Sequence, residues 1–357
     1  MANFHQIFSS KDKLMFVGFV LITLLASACQ QTSIPTPVLC TTLRPSDEPD
    51  SPAFWPRDMA FDQQGNLWVV GGNGLLGVEG ALRLSEPANG MCTHFAAKNN
   101  LKGAWIAAVS VDNKGNVWFG DWLNGDVFRF DGNRWRTYTK YDGSDDEGNT
   151  VFDIAVAPNG DIWLAVPYYA YRYDGQDWST YTAEDGLPDP GISAVAAAQD
   201  GDIWFGGYNS NIVITRFDGF NWTPYYVEDG LADNAITDIA VTQDGVVWVG
   251  TRHGVSRLED NRWITYGEED GLRDDSVADI EVDQKGDVWF ATAEGVTRFD
   301  GQTWVVYTEK DGLLNRNIMA LAVDHDGIIW AGTEGGVSRF NGGGWISYLV
   351  GDQVESE

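Results

Sequence analysis

The stretch ITDIAVTQDGVVWVGTRHGVSRLEDNRWITY, residues 236–266, decides the fold. Ile236–Val241 alternates as a half-buried strand does, and Asp244-Gly245 is a tight-turn dipeptide that delivers the chain into Val246-Val247-Trp248. Gly254-Val255-Ser256-Arg257 reads as a third strand, and a second turn leads to a fourth at Trp263. Alternation broken by Gly-containing turns predicts short antiparallel strands, with no helical period to compete. One four-stranded sheet of this kind cannot hide its own faces.

The element recurs along the chain. A Gly-x-aliphatic-Trp unit returns with Trp at 68, 118, 163, 204, 248, 289 and 330, the last three steps being 44, 41 and 41 residues. An Arg follows each at 83, 129, 172, 216, 257, 298 and 339, and a second Trp stands at 135, 178, 222, 263, 304 and 345. Seven such units arranged radially bury one another's faces, so the sequence predicts an all-β, seven-bladed β-propeller of four-stranded antiparallel blades. The strands are lettered A to D from the axis outward. Because each blade packs only on its neighbours, 357 residues need no second core.

The pattern Ile-x-x-Ile-Ala-Val-x-x-Asp-Gly-x-x-Trp-x-Gly-Thr-x-x-Gly-Val-Ser-Arg-Phe, then Trp-x-x-Tyr-x-x-x-Asp-Gly-Leu, resembles the two-component-regulator propeller repeat over residues 56–350. The resemblance implies a periplasmic sensor region, a type often attached to membrane histidine kinases in bacteria that detect glycans. No apolar stretch suited to a transmembrane helix and no kinase follow the repeats here, so what carries over is ligand binding, with a separate membrane signalling partner as the route to a signal.

Residues 1–28 differ from the rest. Lys11 and Lys13 precede an apolar run, Leu14–Leu25, too short to span a bilayer, as in a secretory signal. Its ending, Leu25-Ala26-Ser27-Ala28-Cys29, resembles a bacterial lipobox, which implies lipidation at Cys29. Ala26 stands where a larger aliphatic residue is usual, which leaves ordinary signal-peptidase cleavage as the alternative. The organisation expected is therefore a signal at 1–28, a tether at 29–37, the propeller with an extra N-terminal strand at 38–350, and an acidic tail at 351–357. The protein would sit on the extracytoplasmic side of the cell envelope, held to the membrane by a lipid anchor only. With 23 Lys and Arg against 52 Asp and Glu there is no basic stripe for phosphates, so no nucleic acid is expected as partner.

Residues that break the repeat are the candidates for function. Thirteen Trp fill the two repeating positions and the seven Arg recur, so both sets read as scaffold. Asp58, Asp153, Asp238 and Asp279 share one strand-A position and are expected to accept backbone N–H groups. Trp55 and Trp105 instead sit in the loops entering strand A, and Trp122 in a loop from B to C. D-to-A and B-to-C loops emerge on one face. Tyr168, Tyr169, Tyr208 and His253 occupy B-to-C loops as well, so these residues together form the expected ligand site, suited to a glycan or another small molecule.

No catalytic residue is expected, since no His pair or Ser-His-Asp set is in view. No metal or other cofactor is expected either. The run Asp142–Glu147 is the densest in carboxylates and the one place for Ca²⁺, but it lacks a full ligand-loop pattern. Two other readings stay open: a propeller enzyme, either a lyase pairing His253 with Glu294 or Glu334 or a glycoside-active enzyme, and a surface protein-interaction scaffold.

Cys40 and Cys92 remain once Cys29 is lipidated. Residues 38–43 read as an eighth D-like strand, which either completes blade seven as a clasp or extends blade one and places the two cysteines for a disulfide.

Overall fold

The computed structural model describes residues 39–40, 55–71, 80–85, 91–95, 101, 105–139, 150–188, 191–208 and 212–349. The expected signal, lipidated Cys29 and tether, the Asp142–Glu147 run and the acidic tail lie outside the described residues. Among those described, no helix is long and apolar enough to cross a membrane.

The chain forms seven antiparallel sheets: six have four strands in sequence order, and the first has five. The first blade runs β1 (Leu39–Cys40), β2 (Pro56–Phe61), β3 (Leu67–Gly71), β4 (Ala81–Ser85) and β5 (Met91–Phe95), in the spatial order β1-β5-β4-β3-β2. The ring closes through packing. Seven hydrophobic clusters fill the seven interfaces between blades, and the last joins Met59, Leu67 and Val69 of blade one to Ala320, Ala322 and Trp330 of blade seven.

The strand-B tryptophans are the hubs. Trp68, Trp118, Trp248, Trp289 and Trp330 are at most 2% exposed, each wedged against the following blade. Above every one lies the guanidinium of the strand-C Arg of its own blade, from Arg257 at 5.4 Å to Arg216 at 6.0 Å. The seven Arg are scaffold, as expected, but their shared partner is this indole face. Carboxylates of the same blade join only in some, such as Asp161 for Arg172 at 2.6 Å.

A further tie follows the same spacing. Asp62, Asp112, Asp283 and Asp324, six residues before their Trp, each accept the indole N–H at 2.8 to 3.1 Å while also binding the turn between strands A and B.

The Asp-Gly-Leu turns serve the scaffold as well. Gly186, Gly230, Gly271 and Gly312 have φ between 101° and 123°, and Leu187, Leu231, Leu272 and Leu313 are buried between blades. At Gly312 a Cβ would come within 2.2 Å of the Trp345 carbonyl oxygen.

The N-terminal strand settles the choice of closure. β1 pairs with β5 in blade one, with Leu39 opposite Thr93 and Cys40 opposite Cys92. Blade seven is built wholly from residues 318–349, so the clasp arrangement is excluded. Directly opposed antiparallel residues have Cα atoms about 4.5–5.5 Å apart, inside the range a disulfide needs. Non-reducing peptide mapping of protein from an oxidising compartment is expected to recover a Cys40–Cys92 linked peptide; two free thiols would reject the bond.

Candidate functional site

Strand A of six blades carries a β-bulge at the same place. In blade one Pro56 pairs with Gly71 and Asp58 with Val70, leaving Arg57 unopposed. The residue skipped in the other bulged blades is Ala107, Ser193, Thr237, Ala278 or Met319. Blade three has no bulge, and Phe152 precedes its strand in the same register. A bulge re-aims its extra side chain. All seven of these residues line one cavity of about 900 Å³ at the axial mouth, on the face of the D-to-A and B-to-C loops.

A second tier comes from the B-to-C loops, four residues after the strand-B Trp. It supplies Trp122, Pro167, Tyr208 and Arg252 from blades two to five, with Tyr168 beside Pro167. Asp121 anchors the first of these loops: it accepts the N–H groups of Trp105 and Leu123 at 2.9 and 3.0 Å, and the Asn124 side-chain amide at 2.7 Å. The Trp122 N–H donates to the Trp105 carbonyl at 2.6 Å, and Thr150 donates to the Trp122 carbonyl at 2.7 Å. So fixed, the Trp122 ring stands edge-on to Phe152 at 5.0 Å and carries the Arg57 guanidinium 3.9 Å above it. This stack spans three blades. In blades four and five Arg252 lies over Tyr208 at 5.6 Å. Tyr168 is held at φ 70° and is 59% exposed, a conformation that costs a residue with a Cβ about 1–3 kcal/mol.

The aromatics expected at the site thus divide. Trp55, Trp122, Tyr168 and Tyr208 line the cavity; Trp105, Tyr169 and His253 do not. Trp105 is half exposed and contributes its backbone to holding Trp122. Tyr169 begins strand C and packs its ring on Tyr171. His253 points to solvent and bonds Asp233 through Nδ1 at 2.6 Å. Glu294, one expected partner for it, is paired with Arg316 at 3.2 Å and Arg273 at 3.8 Å.

The floor of the cavity is acidic. Asp58, Asp153, Asp238 and Asp279 line both the mouth and a second cavity of about 440 Å³ further along the axis. Each carboxylate reaches into the next acceptor-needing strand: Val109, Val195, Ile280 and Leu321 donate their N–H groups to it at 2.5 to 2.8 Å. The expected backbone role holds, and it ties one blade to the next. Blades two, four and seven have Ala108, Ala194 and Ala320 at this position, and in blade four Ser193 donates instead to the Ile236 carbonyl at 2.7 Å. Among the described residues no group of His, Cys, Asp or Glu is arranged to hold a metal ion.

Burial raises the pKa of every one of these carboxylates. Asp58 is pushed up to about 8 by burial and by the charges of Asp153 and Asp238, against the backbone N–H groups it accepts. Burial takes Asp153 to about 6, and burial with the neighbouring Glu281 and Asp58 takes Asp279 to about 7. Asp238 is raised well above its ordinary value by burial and the adjacent Asp279, and Glu281 to about 8 by burial and the charge of Asp238. A carboxyl with a raised folded-state pKa contributes stability that is complete below about pH 4 and lost as pH rises through 6 to 8. The thermal midpoint is therefore expected to be at least ~2 °C higher at pH 5.5 than at pH 8.5. Replacing Asp238 and Asp279 by Ala, which three blades already accept, should flatten that slope; an unchanged slope would assign it to the surface charge.

Residues 230–253 and 312–335 match the family model described as the two component regulator propeller. No curated protein sequence matches the chain. Among solved structures, the extracellular domain of BT3049 from B. thetaiotaomicron, assigned as a hybrid two component system, superposes with a TM-score of 0.69 at 18% identity, over 87% of this chain and 42% of that one. The virginiamycin B lyase of Staphylococcus aureus gives a TM-score of 0.63 at 15% identity, over 86% of this chain and 97% of the lyase. PorZ, a surface component of the type-IX secretion system of Porphyromonas gingivalis, gives 0.62 at 20% identity, over 84% and 47%. The chain spans less than half the length of BT3049 and of PorZ. At such identities the likeness is one of fold.

Proposed function

We propose that this chain, a two-component regulator propeller by its repeats, is a non-catalytic binding protein of the bacterial envelope that takes a small extracellular ligand, of glycan type, in its axial mouth. The observation that carries this reading is the convergence of Trp55, Trp122, Phe152, Tyr168 and Tyr208, from four blades, on one cavity of about 900 Å³. That volume is in the range of small-ligand pockets, and aromatic faces presented on rigid loops suit sugar rings. The extracellular setting of BT3049, which shares the fold, supports a sensor-type role. Lipid anchoring rests on the Cys29 motif, and a membrane signalling partner is the relay in this reading.

No observation at the mouth favours the lyase reading, because His253 is engaged by Asp233 and lies off the cavity. The test is a glycan array probed with the exported domain, followed by calorimetry on each binder. Binding at one site per chain is expected; turnover of the bound saccharide would instead make the protein an enzyme. For the anchor, mass spectrometry of the mature N-terminal peptide is expected to show an acylated Cys29, and Cys29→Ser should release the protein from membranes. An unmodified terminus on a protein that is soluble without mutation would remove the anchor.

A further inference from the structure

In a chain with 52 acidic against 23 basic residues, two arginines at one cavity stand out. Arg57 and Arg252 enter from blades one and five, and each lays its guanidinium face on an aromatic ring: Trp122 at 3.9 Å and Tyr208 at 5.6 Å. Stacking occupies the face of a guanidinium and leaves its edge donors for planar oxyanions. Among the described residues, neither side chain donates a hydrogen bond or forms an ion pair. Three of the strand-C arginines show the contrast, with Arg172 on Asp161, Arg298 on Asp287 and Arg216 on Asp202. The aspartates of the floor are in the opposite condition, since their oxygens already accept backbone N–H groups. The mouth therefore has unspent cationic donors and satisfied acceptors.

We propose that the ligand taken by this mouth is an acidic saccharide, its ring laid against the aromatic wall and its oxyanion, a carboxylate or a sulfate, held by the edge of the Arg57 guanidinium, with Arg252 reading a second oxyanion from across the cavity. The inference rests on the reading of the mouth as a ligand site. Stacking on Trp122 orients the Arg57 fork before the ligand arrives, so little side-chain freedom is lost on binding. The burial that raises the pKa of the floor carboxyls favours their neutral form, which lessens the repulsion an anion would meet.

The experiment uses an array of neutral, uronate-bearing and sulfate-bearing oligosaccharides, then calorimetry on the best binder with the unaltered chain, Arg57→Ala, Arg57→Lys and Trp122→Ala, each shown folded by its thermal melt. Binding confined to the acidic members is expected. Affinity should fall at least about tenfold in Arg57→Ala, the size of one charge-assisted contact, should be restored only in part by Arg57→Lys, and should weaken as salt is raised. The uronate and sulfate arms tell which oxyanion is read. Neutral members bound as tightly, with loss in Trp122→Ala but none in Arg57→Ala, would overturn the acidic specificity and leave the mouth as a ligand site. Acidic binders indifferent to both substitutions would overturn the specificity and the site together. An array with no binder at all would overturn the saccharide assignment.

Discussion

Trp118→Ala is expected to lower the free energy of unfolding by about 3–5 kcal/mol, the cost of emptying a large aromatic site in a packed core. Trp118 is 2% exposed and fills the interface between blades two and three, stacked on Tyr138 at 5.5 Å and tilted against Tyr173 at 5.8 Å. Its indole N–H donates to Asp112 at 2.9 Å, and the Arg129 guanidinium lies 5.7 Å from its ring while donating to Asn116 at 2.9 Å. Burial alone would raise the pKa of Asp112, but the donors on Trp118, Asn116 and Lys114 hold it below its ordinary value. Removing the indole thus empties a cavity and strips one donor from a partly buried carboxylate. Trp118→Phe keeps most of the packing without the N–H and should cost clearly less. Urea titration of the three proteins measures both effects, and a loss under about 1 kcal/mol in Trp118→Ala would mean that this hub does not hold the ring.

The blades were legible because their signal is periodic. A Trp every 41 to 44 residues in the later units, with Gly turns between alternating segments, leaves only a radial stack as a way to bury every face. The position of β1 was open, because pairing on blade one and pairing on blade seven make the same demand on residues 38–43. The register of Cys40 opposite Cys92 decides it.

The site was half legible. Trp122, Tyr168 and Tyr208 stood out as aromatics in loops of known face, and they reach the cavity. Trp105 shares the register of Trp55 yet stays off the lining, because register places a Cα and the loop decides where the ring goes. Its backbone is drawn to Asp121 and Trp122. Arg57 was hidden for another reason. The bulge-position residues Arg57, Ala107, Phe152, Ser193, Thr237, Ala278 and Met319 share no chemistry, so nothing in their identities marks them as a set. The signal was positional: each stands one place before the recurrent Asp or Ala of strand A.

The measurement that bears most directly on the mouth as the ligand site is the affinity of Trp122→Ala for the best-binding oligosaccharide of the array. Trp122 is pinned from its backbone by Trp105 and Thr150, while its ring joins Arg57 to Phe152 and faces the cavity. Truncation should leave the blades standing and remove the central aromatic contact, weakening binding by about 1–3 kcal/mol, roughly five- to 150-fold. His325→Ala provides the control, since that ring bonds the Asp62 carbonyl at 2.7 Å on the opposite face. The account predicts weakened binding in Trp122→Ala, unchanged binding in His325→Ala and a folded ring in both. Full affinity in Trp122→Ala together with lost affinity in His325→Ala would place the ligand at the other end of the axis and contradict it.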